Sequence, residues 1–488
     1  MRQLPASLMA SLTKIEGFDK EAFEKVHASG EQVTSVRLNP QKVLNVKRET
    51  ADMKLGISPI KNDEGKVSPS FTFDVSRFTP GVLPFTSSIP WCPHGLYLPE
   101  RPSFTFDPLF HAGAYYVQEA SSMFLWEVLR QTVGDNTAGA KVLDLCAAPG
   151  GKSTLLASYF KDGLVVANDT IRSRAAVLAE NITKWGSANT VVSNNDPKAF
   201  AKLESYFDVM VIDAPCSGSG LFRRDEDAIS EWSEENVLLC SQRQQRIIAD
   251  AYNALKKDGI LIYSTCSYSQ EEDEQILDWL CEEFEIESLK LSINQEWGIV
   301  ETASDKHKAH GYRFYPYKLK GEGFFISAFK KNDGREVQHH AQGVQKSSKE
   351  EVFIASMFIN KPAEFFYIKQ AESIVAIPLQ WAGDITVLQK NLYLRKAGIT
   401  IGTVKGKDLI PGHELAMSAI TADNLPVVSL SKEQAIQYLQ KKEVPLNNLE
   451  KGWTLAKYNG INLGWLKVLH NRVNNYYPVE WRILKEKP

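Results

Sequence analysis

The sequence predicts an α/β protein built around a doubly wound, mostly parallel sheet, with smaller domains on either side. Three observations carry that expectation. Between Lys141 and Lys331 short β-rich runs, VLDL (142–145), LVVAN (164–168), VMVID (209–213), ILIYST (260–265) and FFISAF (324–329), alternate with helix-length segments. Strands spaced in this way need crossovers, and crossovers cover both faces of a parallel sheet. The residues of unusual chemistry follow these strands, where ligands of such sheets bind. Finally, 488 residues exceed a usual domain of roughly 100 to 200, so two to four domains are expected.

Composition narrows the class. A hydrophobic share of 43% and a charged share of 24% fit an ordinary globular protein. Met1 to Lys14 lacks the apolar run of a signal peptide, and no stretch of about 18 apolar residues could cross a bilayer, so the chain reads as cytosolic without a membrane partner. Cys92, Cys146, Cys216, Cys240, Cys266 and Cys281 are too sparse for a disulfide framework and form no CxxC pair. Reduced thiols and no metal site are therefore expected. A net charge of −3 argues against coating nucleic acid by bulk electrostatics. Residues 351–488 hold 17 Lys/Arg against 12 Asp/Glu, a net of +5 that leaves −8 for residues 1–350. That asymmetry suits a phosphate-facing surface and equally a solvated face. The polar stretch NDGREVQHHAQGVQKSSKEE (332–351) reads as a linker, and His339-His340 within it as solvated rather than as a metal site.

After VLDL comes a loop of small residues, Cys146-Ala147-Ala148-Pro149-Gly150-Gly151-Lys152-Ser153-Thr154, then a helical stretch. Glycines let backbone approach a ligand, and a helix N-terminus offers free N–H donors, so the loop reads as a nucleotide-type cradle. Cys146 stands where a P-loop requires glycine, which weakens a triphosphate reading. Asp169, after the second strand, lies where a carboxylate holds ribose hydroxyls. Asp196 could accept from an adenine amino group, or simply form an Asx turn before Pro197. Arg174 reads as a surface helix residue.

Two thiols occupy strand ends: Cys216 in DAPCSGSG (213–220) after VMVID, and Cys266 in the run that closes ILIYST. Cys92, Cys240 and Cys281 read as small buried hydrophobes. A thiolate adding to carbon 6 of a cytosine makes carbon 5 nucleophilic enough to accept a methyl group, which splits one difficult step into two. A second thiol can then take or relay the carbon 5 proton. Asp213 could hold a protonated ring nitrogen or the amino end of methionine, or cap a strand-end turn. Spacing alone leaves either cysteine as the nucleophile.

At these residues the sequence resembles the Sun/Nop-type RNA (cytosine-5) methyltransferases, in particular the bacterial F type that acts on the RNA of the small ribosomal particle. The motifs are HAGAYYVQEASSM (111–123), DLCAAPGGKST (144–154), DAPCSGSG (213–220) and STCSYSQEEDE (264–274). The resemblance implies a Rossmann-like domain that binds S-adenosyl-L-methionine through Ala147, Ala148, Pro149, Gly150, Gly151, Lys152, Ser153, Asp169, Asp196 and Asp213. It implies Cys266 as nucleophile and Cys216 as the aid to product release, with Asp213 also in the catalytic set. LPASLMASL and SVRLNP (35–40), with Arg37 and Asn39, resemble the RNA-facing N-terminal module. LRKAGITIGTVKGKDLIPGHELAMS (394–418) and GWLKVLHNRVNNYYP (464–478) resemble two appended C-terminal domains, the second PUA-like. In the latter, Arg472, Asn475, Tyr476 and Tyr477 combine a cation with stackable rings suited to unpaired RNA, although clustered tyrosines also pack.

The expected organisation is thus an N-terminal RNA-binding module (1–110), a methyltransferase domain (111–331), a linker (332–350), a first C-terminal domain (351–422) and a PUA-like domain (423–488). The expected partner is ribosomal RNA or the small ribosomal subunit, met by a monomer. A tRNA cytosine-5 methyltransferase and a noncatalytic RNA-binding assembly factor are the alternatives.

Overall fold

The computed structural model describes residues 4–15, 17–43, 85–340, 343, 345–447 and 449–486. The central sheet is formed by β1 (Lys141–Asp144), β2 (Leu164–Asn168), β3 (Thr190–Ser193), β4 (Phe207–Asp213), β5 (Leu255–Thr265), β6 (Val300–Ala303), β7 (His310–Phe314), β8 (Phe324–Lys331) and β9 (Leu394–Ala397), in the order β6-β7-β8-β5-β4-β1-β2-β3-β9. A short strand, Ile286–Ser288, pairs with β8. The strands β3-β2-β1-β4-β5 are parallel. Helices α1 (Gly151–Tyr159), α2 (Arg172–Trp185) and α3 (Glu234–Ala251) make crossovers, and α4 (Glu274–Glu283) follows β5. Strand order reverses between β1 and β4, so the ligand crevice opens beyond the carboxyl ends of those two strands.

Val142 and Leu143 of β1 are both fully buried although they point to opposite faces. Each such side chain contributes roughly 1.5–3 kcal/mol, which explains why the parallel strands are apolar without alternation. One face packs on a cluster that includes Leu143, Met210, Ile248 and Leu277. The other packs on one that includes Val142, Leu155, Val211 and Ile262. Ser233 caps α3 by accepting from Asn236 N–H, with Glu234 and Glu235 favourably placed in its first turn.

Four features depart from the sequence reading. FFISAF forms β8 as expected, but β8 runs antiparallel to β5. The strand Tyr115–Val117 pairs with Thr34–Leu38, so the chain still belongs to the N-terminal four-stranded sheet beyond residue 110. β9 pairs antiparallel with β3 and extends the central sheet from within the segment 351–422. Part of the expected linker is also docked, since Arg335 pairs with Glu204 at 2.9 Å and the His339 ring packs on Tyr206.

Beyond residue 351 lie two further four-stranded sheets. One comprises Phe365–Gln370, Ser373–Pro378, Ile399–Lys405 and Asp408–Pro411; the other comprises Val427–Ser429, Gly452–Tyr458, Ile461–Val468 and Val473–Asn475. The last sheet shares a core with the N-terminal module, where Leu38, Leu96 and Tyr115 pack with Tyr438, Leu463 and Tyr477. Among the described residues, no helix is long and apolar enough to cross a membrane.

His413 sits at this junction, between the rings of Tyr477 and Trp481, with neither ring nitrogen hydrogen-bonded. Burial pushes its pKa down to about 3, and Lys42, Lys184 and Lys441 push the same way against Glu414. The unfolded imidazole takes up a proton near pH 6.5 and the folded one only near 3, so stability is full above 6.5 and is lost as pH falls between those values. The urea midpoint should therefore drop between pH 7 and pH 5, and His413→Leu should flatten the drop. An equal drop in the variant would contradict this origin.

Candidate active site

The loop after β1 is braced from the helix that follows β2. Gly150 adopts φ 114°, which turns the chain into α1. Arg174 donates to the Ala148 carbonyl at 2.9 Å and lies 3.4 Å from Asp169, while Asn181 donates to the Pro149 carbonyl at 2.8 Å. Arg174 is an exposed helix residue, as the sequence predicts, and its guanidinium also braces the loop. Ser153 is buried and donates to Asp144 at 2.6 Å, so it acts through that carboxylate rather than facing the crevice. Asp144 was not singled out by the sequence. It is fully buried, its second oxygen has no hydrogen-bond partner, and burial raises its pKa to about 7.

Cys146, Ala147, Ala148, Pro149, Gly151, Lys152, Asp144, Asp213 and Cys266 line one cavity of about 310 Å³, together with Glu119, Glu322 and Phe324. Lys152 Nζ lies 2.8 Å from Asp213, whose other oxygen accepts from Ser264 at 2.8 Å. Burial, followed by the charges of Asp144, Asp213 and Asp169, pushes the Cys146 thiol well up and keeps it protonated. Asp169 and Asp196 do not line this cavity. Asp169 accepts from Ile171 N–H, and Asp196 caps the 3-10 helix Pro197–Leu203 by accepting from Lys198 N–H, with Arg246 at 3.8 Å. The Asx-turn alternative for Asp196 is therefore realised in this structure.

The parallel pairing of β4 with β5 brings the two cysteine loops side by side, and Cys216 Sγ lies 3.0 Å from Cys266 Sγ. The hydrogen bond with Cys266, then burial, then the charges of Cys266 and Glu272 hold the Cys216 thiol well above its ordinary pKa. Gly220 makes the approach possible: its N–H donates to the Cys266 carbonyl at 2.7 Å, and its carbonyl accepts from Gly323 N–H at 3.2 Å. Beneath the thiols lies Glu272, fully buried and bonded to Ser217, Ser267 and Gln244. Next to it, Arg313 is paired with Asp273 and Glu274. The acidic run of STCSYSQEEDE is thus largely internal, a fact that sequence spacing does not reveal.

Two groups of expected RNA-facing residues are corrected. Arg37 is fully buried, bonds Gln118 at 2.8 Å and Thr154 at 2.5 Å, and lies over the Trp185 ring. Asn39 is buried and donates to the Gly113 and Trp185 carbonyls at 3.0 and 2.8 Å. Arg37 thus braces the start of α1 and Asn39 the chain around Gly113 and Trp185, rather than either facing solvent. At the C-terminal end, Arg472 and Tyr476 are exposed, whereas Asn475 turns inward, donating to the Tyr438 carbonyl at 2.8 Å and accepting from Tyr477 N–H. Tyr477 is buried, as the alternation of a strand-like segment requires.

A crevice at the reversal of a parallel sheet, lined by a glycine loop and by Cys266, fits a Rossmann-like methyltransferase fold. The family model for 16S rRNA methyltransferase RsmB/F matches residues 132–330. Models for the RsmF N-terminal domain and the RsmF PUA domain match residues 72–120 and 425–483. The ribosomal RNA small subunit methyltransferase F of Aliivibrio fischeri (strain MJ11) is 31% identical over 412 residues, 80% of this chain and 85% of that one. Its namesake from Psychromonas ingrahamii is 32% identical over 418 residues, 81% of this chain and 85% of that one. The chain belongs to the 16S rRNA methyltransferase RsmB/F family. The crystal structure of PH0851, at 23% identity and a TM-score of 0.51 over 67% of this chain and 66% of that one, shares the fold.

A Cβ at residue 220 would lie 2.6 Å from the Cys266 carbonyl oxygen and 2.5 Å from that of Gly323. Gly220→Ala should therefore destabilise the protein by about 1–3 kcal/mol and move the two thiols apart. Urea denaturation checks the first effect, and an unchanged midpoint would show that the loops give way freely.

Proposed function

We propose that the chain is an S-adenosyl-L-methionine-dependent methyltransferase that modifies carbon 5 of a cytosine in ribosomal RNA through a covalent Cys266 adduct. The observation that carries this reading is that Cys266 lines the same cavity as the loop from Cys146 to Lys152 while touching Cys216. The donor set fits the cofactor. A helix N-terminus after a glycine turn offers backbone N–H groups, and Asp144, with an oxygen lacking any hydrogen bond, offers an acceptor. Ala147 to Lys152 and Asp213 would hold S-adenosyl-L-methionine in the cavity, with Ser153 acting through Asp144 and with Asp169 and Asp196 at its nucleoside end. When bound, it supplies the methyl group.

The chain's own groups do the rest. The Cys266 sulfur, its proton given up to solvent, forms a bond to carbon 6, the electron pair of the 5,6 double bond moves through the ring, and the ring nitrogen takes a proton from solvent, with Asp213 accepting a hydrogen bond from the new N–H. Carbon 5, now electron-rich, accepts the methyl group. Cys216 then removes the carbon 5 proton, the double bond re-forms, the pair of the Cys266–carbon 6 bond returns to sulfur, and the ring nitrogen gives its added proton back to solvent. The causes acting on Cys216 explain the order of events. Its thiol is held up first of all by Cys266, through a hydrogen bond and through charge. Once Cys266 is a neutral thioether its charge no longer raises the Cys216 thiol, so attachment favours ionisation of Cys216, against burial and the Glu272 charge, which still oppose it.

The relatives named as ribosomal small-subunit enzymes favour rRNA over tRNA as the substrate class. The complete two-thiol arrangement disfavours a noncatalytic assembly factor. Labelled methyl should enter small-subunit RNA and not tRNA; the opposite pattern overturns the substrate class. Cys266→Ala should abolish transfer without leaving an adduct, and Cys216→Ala should accumulate a denaturant-stable protein–RNA adduct. The reverse outcome would exchange the two roles.

A further inference from the structure

We infer that Glu272 is a positioning residue that holds Cys216 within reach of the base attached to Cys266, so that it governs release of the methylated base rather than its capture. The inference rests on the covalent mechanism above. Glu272 Oε1 accepts from Ser217 N–H at 2.8 Å and from Gln244 Nε2 at 3.1 Å. Its Oε2 accepts from Ser217 Oγ at 2.5 Å and from Ser267 Oγ at 2.6 Å. One buried carboxylate therefore grips the residue after each thiol.

The two loops do not depend on that grip equally. The Cys266 loop has further anchors. Thr265, paired with Phe325 at the end of β5, donates to Asp273 at 2.7 Å, and the Tyr268 carbonyl accepts from Arg313 at 2.9 Å, whereas the Gly220 N–H bond to the Cys266 carbonyl and the Tyr268 N–H bond to Ser219 tie the two loops to each other. On the Cys216 loop, both Ser217 N–H and Ser217 Oγ end on Glu272. Gln244, which donates to the Pro215 carbonyl at 3.0 Å, is itself bonded to Glu272 and to Tyr263. Tyr263 in turn donates to the Glu272 carbonyl at 2.6 Å. Loss of the carboxylate therefore frees Cys216 first and leaves Cys266 seated at the cavity wall. Its burial raises the pKa of Glu272, while the bonds from Ser217, Ser267 and Gln244 oppose that rise.

The step affected is the last one. Carbon 5 gives its proton to the Cys216 thiolate, that C–H pair re-forms the ring double bond, and the sulfur–carbon 6 bond breaks with its pair returning to Cys266. A shift of Cys216 by a fraction of an ångström from its place 3.0 Å from Cys266 slows this transfer without altering attack at carbon 6.

The test uses the full chain with S-adenosyl-L-methionine and small-subunit ribosomal RNA, following single-turnover methyl transfer and the lifetime of the denaturant-stable adduct. Glu272→Ala should lengthen the adduct lifetime by about tenfold or more, the effect of losing hydrogen bonds to a charged group, while methyl transfer changes by less than about threefold. Glu272→Gln, which can accept from Ser217 N–H and donate to the hydroxyls, should restore release. In a Cys216→Ala background Glu272→Ala should add nothing, because both changes remove the same base. Multiplying effects, an unchanged lifetime, or an equal slowing of transfer and release would each overturn the assignment. Should Glu272→Ala fail to fold, Ser217→Ala takes its place, and release at the wild-type rate would be equally decisive against it. Wild-type protein that transfers no methyl group and forms no adduct would sink the functional reading itself; wild-type behaviour in Glu272→Ala would sink this inference alone.

Discussion

Two sulfur atoms 3.0 Å apart, at the ends of neighbouring parallel strands, are the constraint around which the rest of the site is arranged. Sulfurs at that separation exchange a proton readily and resist both being charged at once. To hold them there, the fold needs a residue without a side chain where β4's loop passes under the Cys266 carbonyl, and a buried acceptor that bonds both loops. Gly220 and Glu272 are those two parts. The cofactor loop then has to face the same cavity, and this follows from β1 lying next to β4 at the reversal of strand order.

The support extends outward in layers. Arg174 and Asn181 of α2 fix the carbonyls of the cofactor loop, and Arg37 of the N-terminal sheet anchors the first turn of α1. The N-terminal module is therefore packed into the support of the candidate site as well as lying next to it. The same module shares a hydrophobic core with the last C-terminal sheet, which fixes the exposed Arg472 and Tyr476 relative to the rest of the molecule.

Much of this was legible in the sequence. The runs at β1, β2, β4, β5 and β8 are apolar because the sheet buries both faces, and the cofactor loop and the two cysteines stand out because strand ends carry chemistry in such sheets. β3, with its short TVVS run, was not distinguished from its surroundings, and the antiparallel direction of β8 leaves no trace in composition. Arg37 and Asn39 looked RNA-facing because their residue types suit RNA; the structure gives their hydrogen-bonding capacity to Gln118, Thr154, Gly113 and Trp185 instead. Glu272 lies in an acidic run of the kind that usually meets solvent. Its burial depends on two serine hydroxyls, one of them 55 residues away, and only the pairing of β4 with β5 brings that one near.

The most direct test of the account is to map the attached nucleotide. Cys216→Ala protein incubated with S-adenosyl-L-methionine and small-subunit ribosomal RNA would be digested with protease and nuclease, and the modified peptide sequenced by mass spectrometry. The account predicts a 5-methylated cytidine nucleotide on the sulfur of Cys266 and on no other cysteine. Attachment to a different residue, or a base methylated with no covalent species at any time, would contradict it.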